Sequence, residues 1–221
     1  EQHGPHLPLD TDTQITLALV DTLSQRKPDD VSVGPTIPLG SSGEHLGFAG
    51  TLSLTHQTLA GLIRDIVHSA SSWRAVYFVS AHGGNALVVL PVVHELRQHG
   101  FRVDAWFPTQ ATFQNAAHRW EVDGDARGLY DPDLHAGRTE TSIMLALNPE
   151  AVRLDLARVG QTERLMRVVE LLQTQGVHAV STNGVLGDPS GASYEEGCLL
   201  LGAMADELVD HFEGFAGRAI A

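Results

Sequence analysis

The chain has 221 residues, 43% of them apolar, and it carries 27 acidic against 14 basic residues. The resulting net charge of -13 argues against a protein that binds nucleic acid through a basic face, and it favours a small molecule or a short peptide as the substrate. No apolar run approaches the roughly 18 residues that cross a membrane, so the sequence also argues against a membrane protein.

Proline, glycine and cysteine indicate the domain organisation and the compartment. The stretches richest in proline and glycine, residues 34–50 and 184–197, are flanked by apolar periodic segments, which makes them loops rather than linkers. We therefore predict one domain over residues 1–221. Cys198 is the single cysteine, so no internal disulfide forms. We expect a buried, inert thiol and a cytoplasmic protein.

Strand and helix patterns alternate along the chain, as is typical of βαβ units with a parallel sheet. The predicted helices are, in chain order, one capped by Thr11 or Asp12, one capped by Thr55, and three over residues 86–99, 163–175 and 195–211. The predicted strands span residues 31–37, 75–81, 102–107 and 178–181. Most of these strands are continuously apolar, which predicts helices on both faces of the sheet.

The first twelve residues concentrate potential metal ligands in a segment that cannot form a regular helix. Gly4, Pro5 and Pro8 interrupt helix and sheet geometry, so the acidic and histidine side chains lie on an irregular loop. These side chains are Glu1, His3, His6, Asp10 and Asp12. Taken alone, the segment fits a metal site and a frayed, solvated terminus equally well. Because the chain begins inside this motif, we expect one further strand upstream of it.

A second candidate segment, residues 80–85, follows the apolar strand residues 75–79 and precedes a helix. Ligands bind at this end of the strands in open α/β sheets, and Gly83 and Gly84 permit a tight turn that exposes His82. A phosphate-binding loop is a weaker alternative, because the segment lacks the lysine and the serine or threonine of that motif. A purely structural histidine is the other alternative.

A third candidate segment, residues 133–142, precedes an apolar helical stretch at residues 143–147. It contains His135 beside the small residues Ala136 and Gly137, which suggests a crowded site, and it contains Glu140. Glu140 near the start of a helix also fits a simpler role, because a carboxylate there interacts favourably with the helix dipole.

The number of candidate ligands in the three segments predicts a centre with two metal ions. If the candidate side chains converge and Asp12 bridges, five side chains supply six metal bonds, three to each of two ions. The five side chains are Glu1, His3, Asp12, His82 and Glu140. That count leaves coordination positions open for water and substrate. Nitrogen and oxygen ligands without thiolate suit Zn, Mn or Fe(II), and they do not choose among these metals.

These three segments resemble the motifs of the creatininase (creatinine amidohydrolase) family. Its motifs Glu-x-His-Gly-x-His-Leu-Pro-Leu-x-Thr-Asp, His-Gly-Gly-Asn and His-Ala-Gly-x-x-Glu-Thr-Ser occur here in order, and the resemblance covers essentially the whole chain. It implies a three-layer α/β/α sandwich with a mostly parallel sheet, the metal ligands counted above, a homo-oligomer, and His135 as the acid/base residue near the substrate.

Two departures separate the chain from true creatininases. Those enzymes carry a glutamate ligand two residues after the strand-end histidine, where this chain has Gly84, so we expect Glu140 to supply the carboxylate. Creatininases also close over creatinine with tryptophans, and residues 121–134 contain none. Creatinine is therefore not the expected substrate.

Further segments resemble one branch of the family, the peptidases of the mycofactocin system. These segments are residues 42–45, 48–51, 184–189 and 196–197. The branch removes the C-terminal Val-Tyr dipeptide from the modified precursor peptide, so the resemblance implies a short peptide substrate. Glu44, His45 and Arg138 are the candidate substrate-binding residues, although Glu44 and His45 also fit a surface ion pair. His6 and Asp10 are better explained as groups that stabilise the loop.

The reaction implied is metal-assisted amide hydrolysis, in which His135 passes a proton to the leaving amine. A serine-nucleophile mechanism is disfavoured, because the chain has no Gly-x-Ser-x-Gly motif. Two other functions stay open. One is hydrolysis of a creatinine-like cyclic amide or a formamide. The other is a non-catalytic metal-binding subunit, which the retention of all five ligands together with His135 disfavours.

Overall fold

The computed structural model describes residues 1–109, 112 and 133–220. The helices are α1 (Thr11–Arg26), α2 (His56–Ser69), α3 (Gly83–Gln98), α4 (Arg138–Leu147), α5 (Leu165–Gln175) and α6 (Tyr194–Ile220), and the strands are β1 (Val76–Val79) and β2 (Val103–Trp106). Within the described ranges, no helix combines the length and the apolar character that a membrane crossing needs.

The two strands form a parallel pair joined by α3. Their register places Val76 opposite Val103 and Val79 opposite Trp106. Parallel neighbours require a crossover connection, and α3 supplies it. The unit therefore brings the carboxyl ends of β1 and β2 to the same edge of the sheet, where the segment containing His82 begins.

Two hydrophobic clusters cover the two faces of the sheet. The first contains buried residues of α1, α4 and α6, and Tyr77 and Val79 pack against it. The second contains buried residues of α2 and α3, and Val76 and Phe78 pack against it. Because successive strand residues point to opposite faces, the sheet lies between two helical layers. This arrangement confirms the predicted α/β/α sandwich.

The helix predictions are confirmed in type, with shifts at the ends. Thr55 caps α2, because its side-chain oxygen accepts a hydrogen bond from the backbone N–H of Thr58 at 3.1 Å. The first helix begins one residue earlier than expected, with Asp10 at the cap position. Gly176, with φ of 77°, ends α5 as expected. Helix α4 contains the apolar stretch 143–147 but already begins at Arg138. Its first residues are polar, so they do not show the apolar periodicity of a helix.

Two predicted strands are not strands. Residues 31–37 form no ladder with any described residue, and Val33 and Ile37 are exposed, so this stretch lacks the neighbour that stabilises a strand. Residues 178–181 lie partly in a 3-10 helix, Val177–Ala179, whose polar groups bond locally. Cys198 is exposed rather than buried, since it lies on the face of α6 that points away from the core.

Candidate metal centre

Close packing fixes the shape of the N-terminal loop. Gly4 has φ of +63°, and a Cβ at this position would lie 2.6 Å from Cγ2 of Val185, so only glycine fits without a shift. His6 ties the loop to its surroundings, since its Nε2 lies 2.9 Å from the Thr141 hydroxyl oxygen and its backbone oxygen accepts from Arg153 N–H at 2.8 Å. These contacts give His6 the loop-stabilising role expected of it.

His82 sits between the end of β1 and the start of α3. Gly84 allows two side chains to approach its backbone closely. A Cβ at position 84 would lie 2.5 Å from Nε2 of His82 and 2.6 Å from Oε1 of Glu44. Asn85 fixes the neighbouring loop, because its Oδ1 accepts from the backbone N–H of Ser41 at 2.8 Å. The glycine-rich turn therefore serves a close approach of side chains.

The segment containing His135 pairs with the loop at Leu186. The backbone N–H of Leu186 donates to the carbonyl oxygen of His135 at 2.8 Å, and the N–H of His135 donates back at 3.2 Å. Ala136 adopts a φ of 53°, and its N–H donates to Oε2 of Glu140 at 2.5 Å. This turn holds the imidazole and the carboxylate of the segment on the same side.

All five predicted ligands converge. One group consists of Glu1, Asp12 and His82, and a second consists of His3, His135 and Glu140; within each group the ligand atoms lie within 4.8 Å of one another. Asp12 lies between the groups, because its Oδ2 is 3.4 Å from Nδ1 of His82 and 3.6 Å from Nε2 of His3. This is the position that a bridging carboxylate requires.

Backbone carbonyl groups orient the imidazole rings. His3 places Nδ1 at 3.2 Å from the Glu1 carbonyl oxygen, and His82 places Nε2 at 3.0 Å from the Ser41 carbonyl oxygen. A carbonyl oxygen only accepts, so these nitrogens carry the protons and the other ring nitrogens are lone-pair donors in the neutral rings. Metal-binding histidines are oriented in the same way.

The lone pairs of these rings face carboxylate oxygens at short range. Nδ1 of His82 is 3.2 Å from Oε1 of Glu1, and Nε2 of His3 is 4.0 Å from Oε2 of Glu140. Both oxygens of Glu1 and Nε2 of His3 are buried without a hydrogen-bond partner. Two acceptors that face each other in a buried site need a positive charge between them. A divalent cation on each group supplies it, so the residues fit two metal ions.

The pKa values reflect the same arrangement. Burial opposes ionisation of Glu1, yet His82, His45 and His135 hold its pKa well below the usual range. Burial opposes protonation of His3 and His82, but the carboxylates of Asp12 and Glu1 outweigh it, raising the pKa of His3 to about 9 and that of His82 to about 10. Protons and metal ions therefore compete for the same nitrogens.

Glu140 is the carboxylate most affected by burial. Burial and, to a smaller extent, the neighbouring Asp12 raise its pKa to about 7 against the stabilising charge of His3. Like charges at this density oppose one another's ionisation. A pair of divalent cations would outweigh the three carboxylate charges of the centre by one positive charge and keep the carboxylates ionised.

The two loop residues proposed to contact substrate lie at the same centre, on the 3-10 helix Gly43–His45. The side chain of Glu44 is 34% exposed, and its Oε1 lies 3.9 Å from Nε2 of both His45 and His82. His45 is 4% exposed, and it forms a third ligand-like group with Glu1 and His135. A surface ion pair therefore does not describe His45.

Gln2 is the site residue that the sequence reasoning missed. Its buried amide contacts ring nitrogens of both His45 and His135. A glutamine between Glu1 and His3 gives no chemical signal of its own, and its histidine partners lie 43 and 133 positions away. Only the fold brings these residues together.

Arg138 makes a buried ion pair. Its Nε donates to Oε2 of Glu196 at 2.9 Å, and the hydroxyl of Ser142 donates to the same oxygen at 2.9 Å. The side chain of Glu196 is 2% exposed, and that of Arg138 is 24% exposed. A substrate contact by Arg138 stays a prediction, whereas this pair gives it a structural role.

We expect Arg138→Met to lower the free energy of unfolding by about 3 kcal/mol, because it leaves the buried Glu196 carboxylate without its cation. Urea denaturation of the variant, beside the exposed control Arg167→Met, measures the change. The control should lose less than about 0.5 kcal/mol. Unchanged stability together with weaker peptide binding would instead assign Arg138 to the substrate.

Comparisons with known proteins agree with these features. The family model for creatininase, described as creatinine amidohydrolase, matches residues 1–212. A mycofactocin precursor peptide peptidase from Mycobacterium tuberculosis is 38% identical over 218 residues, which is 95% of this chain and 79% of that protein. A creatinine amidohydrolase from Pseudomonas putida is 26% identical over 178 residues, which is 70% of this chain and 64% of that protein.

Solved structures show the same fold. A structure of a manganese form of creatininase aligns with a TM-score of 0.74 at 22% identity, over 97% of this chain and 87% of the other. A zinc form of a creatininase mutant aligns with a TM-score of 0.70 at 23% identity, over 97% of this chain and 87% of the other.

Proposed function

The chain belongs to the creatininase family, and we propose that it is a metal-dependent peptidase that removes the C-terminal Val-Tyr dipeptide from the modified mycofactocin precursor peptide. The observation that carries the hydrolase assignment is the convergence of Glu1, Asp12 and His82 beside His3 and Glu140. The higher identity to mycofactocin precursor peptide peptidases than to creatinine amidohydrolase supports the peptide substrate.

Five side chains would hold two divalent ions. Glu1, Asp12 and His82 would bind one ion, and His3, Asp12 and Glu140 would bind the other. Zinc, manganese and Fe(II) all suit these nitrogen and oxygen ligands. When bound, the ions would supply Lewis acidity and lower the pKa of a water molecule at neutral pH.

His135 has the geometry of the residue that moves the proton. Its Nε2 donates to the Gln2 carbonyl oxygen at 2.8 Å, so Nδ1 is unprotonated in the neutral ring. This Nδ1 lies 3.7 Å from Oε1 of Glu1 and 3.9 Å from Oε2 of Glu140. Burial, with His3 and His45 nearby, holds the pKa of His135 well below its usual value, so the ring is neutral at pH 7.

The reaction follows from that proton position. A water oxygen attacks the carbonyl carbon of the scissile amide, and Nδ1 of His135 accepts the proton that the water loses. The carbon–nitrogen bond then breaks, and His135 delivers the proton to the leaving amine of the dipeptide. The imidazole returns to its starting state. The products are a shortened peptide with a new carboxyl group and a free dipeptide, whose amine takes up the proton that the carboxyl group then loses.

We include a single domain, a cytoplasmic location and a homo-oligomer in the proposal. The packing of α1, α4 and α6 in one hydrophobic cluster supports a single domain, because these helices come from both halves of the chain. A single cysteine suits a reducing compartment. Helix α5 has no buried residue and exposes Leu165, Met166 and Leu171, which supports an interface with another subunit.

We expect the metal-loaded protein to release the dipeptide from the precursor peptide and to turn over creatinine at a negligible rate. Residues 121–134 supply no tryptophan that could enclose a small planar ring. Mass spectrometry of the peptide and a colorimetric assay of creatinine measure the two rates. A peptide with an amidated C-terminus is the matched control, and it should react more slowly if the site recognises the terminal carboxylate.

Creatinine turnover that rivals the peptide rate would contradict this substrate assignment. It would favour a creatinine-like cyclic amide or formamide hydrolase, for which the similarity to the Pseudomonas putida enzyme is the supporting observation. Absence of turnover with every substrate, in protein that holds two metal ions, would favour a non-catalytic metal-binding subunit.

A further inference from the structure

Gln2 makes a set of hydrogen bonds that fixes which way its amide points. The backbone N–H of Gly4 donates to its Oε1 at 2.8 Å, and its Nε2 lies 3.1 Å from the carbonyl oxygen of Gly184. The first contact requires an acceptor and the second requires a donor, so the oxygen and the nitrogen cannot be exchanged. The residue is 5% exposed, which keeps water from replacing these bonds.

The fixed amide sets the proton position in His45. Its Nε2 lies 2.8 Å from Nδ1 of His45, and the amide has a second hydrogen left after the bond to Gly184. The amide nitrogen donates, so Nδ1 of His45 accepts. In a neutral ring the proton of His45 is then on Nε2.

The backbone of the same glutamine sets the proton position in His135. Nε2 of His135 donates to the Gln2 carbonyl oxygen at 2.8 Å, which leaves Nδ1 without a proton. The amide Nε2 also lies 3.1 Å from Nε2 of His135. Both hydrogens of the amide are already used by Gly184 and His45, so this approach is a packing contact between two donors.

We infer that Gln2 holds both His45 and His135 in the Nε2–H tautomer, and that His45 is an additional catalytic residue whose Nε2–H donates a hydrogen bond to the carbonyl oxygen of the scissile amide. Gln2 is the positioning residue in this arrangement. The inference rests on the proposed peptidase function, because it concerns the same centre and the same reaction.

The location of the donor supports this role. Nε2 of His45 lies 3.5 Å from Oε1 of Glu1, and its ring centre is 4.5 Å from that of His135. In the neutral state that metal binding would require of His3 and His82, the rings of His3, His82 and His135 turn lone pairs towards the centre. His45 instead directs an N–H towards the centre. The ionised carboxylates beside it cannot donate a hydrogen bond.

The chemistry needs such a donor. As water attacks the amide carbon, negative charge develops on the carbonyl oxygen, and a positioned N–H stabilises that charge without transferring its proton. The proton transfers remain those of His135. Loss of one donor of this kind typically lowers turnover by about 10²–10³.

Nitrogen-15 NMR of the imidazole rings in the zinc-loaded protein tests the tautomers without any substrate. We expect His45 to be protonated at Nε2 and bare at Nδ1. In Gln2→Glu, a carboxylate replaces the amide donor, so Nδ1 of His45 should become protonated. The matched control Gln173→Glu lies exposed on α5 and should leave the spectrum of His45 unchanged. A protonated Nδ1 in the unsubstituted protein would overturn the inference.

Kinetics of His45 variants test the catalytic role. We expect His45→Phe to retain two zinc ions per chain and to lower kcat for the precursor peptide about 10²–10³-fold with little change in KM. His45→Gln, which restores an N–H donor, should recover part of kcat. Loss of one zinc ion in His45→Phe would make His45 a ligand, and an unchanged kcat would remove it from the reaction.

The two readouts separate this inference from the proposed function. If the unsubstituted protein does not cleave the peptide, the peptidase proposal and the catalytic role of His45 fail together. The NMR result would still decide whether Gln2 sets the tautomers. If the peptide is cleaved but His45 carries its proton on Nδ1, the peptidase proposal stands and this inference fails alone.

Discussion

Asp12→Asn is expected to release both metal ions together and to abolish peptide hydrolysis. Oδ2 of Asp12 lies 3.4 Å from Nδ1 of His82 and 3.6 Å from Nε2 of His3, so one carboxylate faces the nitrogen ligand of each ion. An amide is neutral and offers a single acceptor atom, so it cannot bridge two cations with the same strength. Elemental analysis after dialysis measures the metal content.

Asp10→Asn is the matched control for that experiment. Asp10 is exposed at the cap of α1, and its carboxylate accepts a hydrogen bond from Gln14 at 2.9 Å. This variant should retain both ions. Two tightly bound ions in Asp12→Asn would contradict the bridge, and loss of a single ion would assign Asp12 to one site only.

Removal of the metal ions from the unsubstituted protein gives the reference value for complete loss of peptide hydrolysis. Chelation should abolish hydrolysis, and zinc, manganese or Fe(II) added back should restore it, because the chain offers no alternative nucleophile in a Gly-x-Ser-x-Gly motif. Hydrolysis that survives demonstrably complete metal removal would contradict the metal-dependent mechanism.

The convergence of the five candidate ligands could be predicted because each of them lies in a short motif with its own chemistry. His82 follows a strand and precedes a helix, and that position places a side chain at the ligand-binding edge of a parallel sheet. Glu1 and His3 share one loop that Gly4 keeps irregular, and Asp12 follows in the first turn of α1. Local sequence therefore carried most of the information on this part of the site.

Contacts between distant segments could not be predicted in the same way. Gln2 and His45 meet only after the loop around Thr51 packs on the N-terminal segment, where the Thr51 hydroxyl accepts from the Gln2 N–H at 3.1 Å. The apolar stretch at residues 31–37 reads as a strand, yet strand formation depends on a partner elsewhere in the fold. Both cases depend on tertiary structure.

The substrate prediction depends on a segment outside the described residues. Residues 121–134 contain no tryptophan, and Trp120 immediately precedes them. Residues 113–132 lie outside the part of the chain that the structure describes. The expectation that no tryptophan closes over the substrate therefore comes from the sequence. The comparison of peptide and creatinine rates tests this argument directly.

His135→Ala is expected to keep both metal ions and to lower turnover of the peptide by about 10²–10⁴, the usual range for a lost general acid or base. In the proposed centre, the five other side chains would supply three ligands to each ion through the Asp12 bridge. Without the imidazole, the centre loses the unprotonated nitrogen that accepts the proton of the attacking water and returns it to the amine. Steady-state kinetics and elemental analysis of the same preparation measure the two quantities.

The geometry makes this experiment decisive between two roles of His135. Its Nδ1 lies 3.9 Å from Oε2 of Glu140, and His135 belongs to a ligand-like group with His3 and Glu140, so it could also bind a metal ion. The exposed residue His94 on α3 offers the matched control, and His94→Ala should retain both metals and full turnover. If His135→Ala loses one metal equivalent, the histidine is a ligand, and the proton must move through another group. If both ions remain and turnover falls, the fixed lone pair on Nδ1 serves the chemistry.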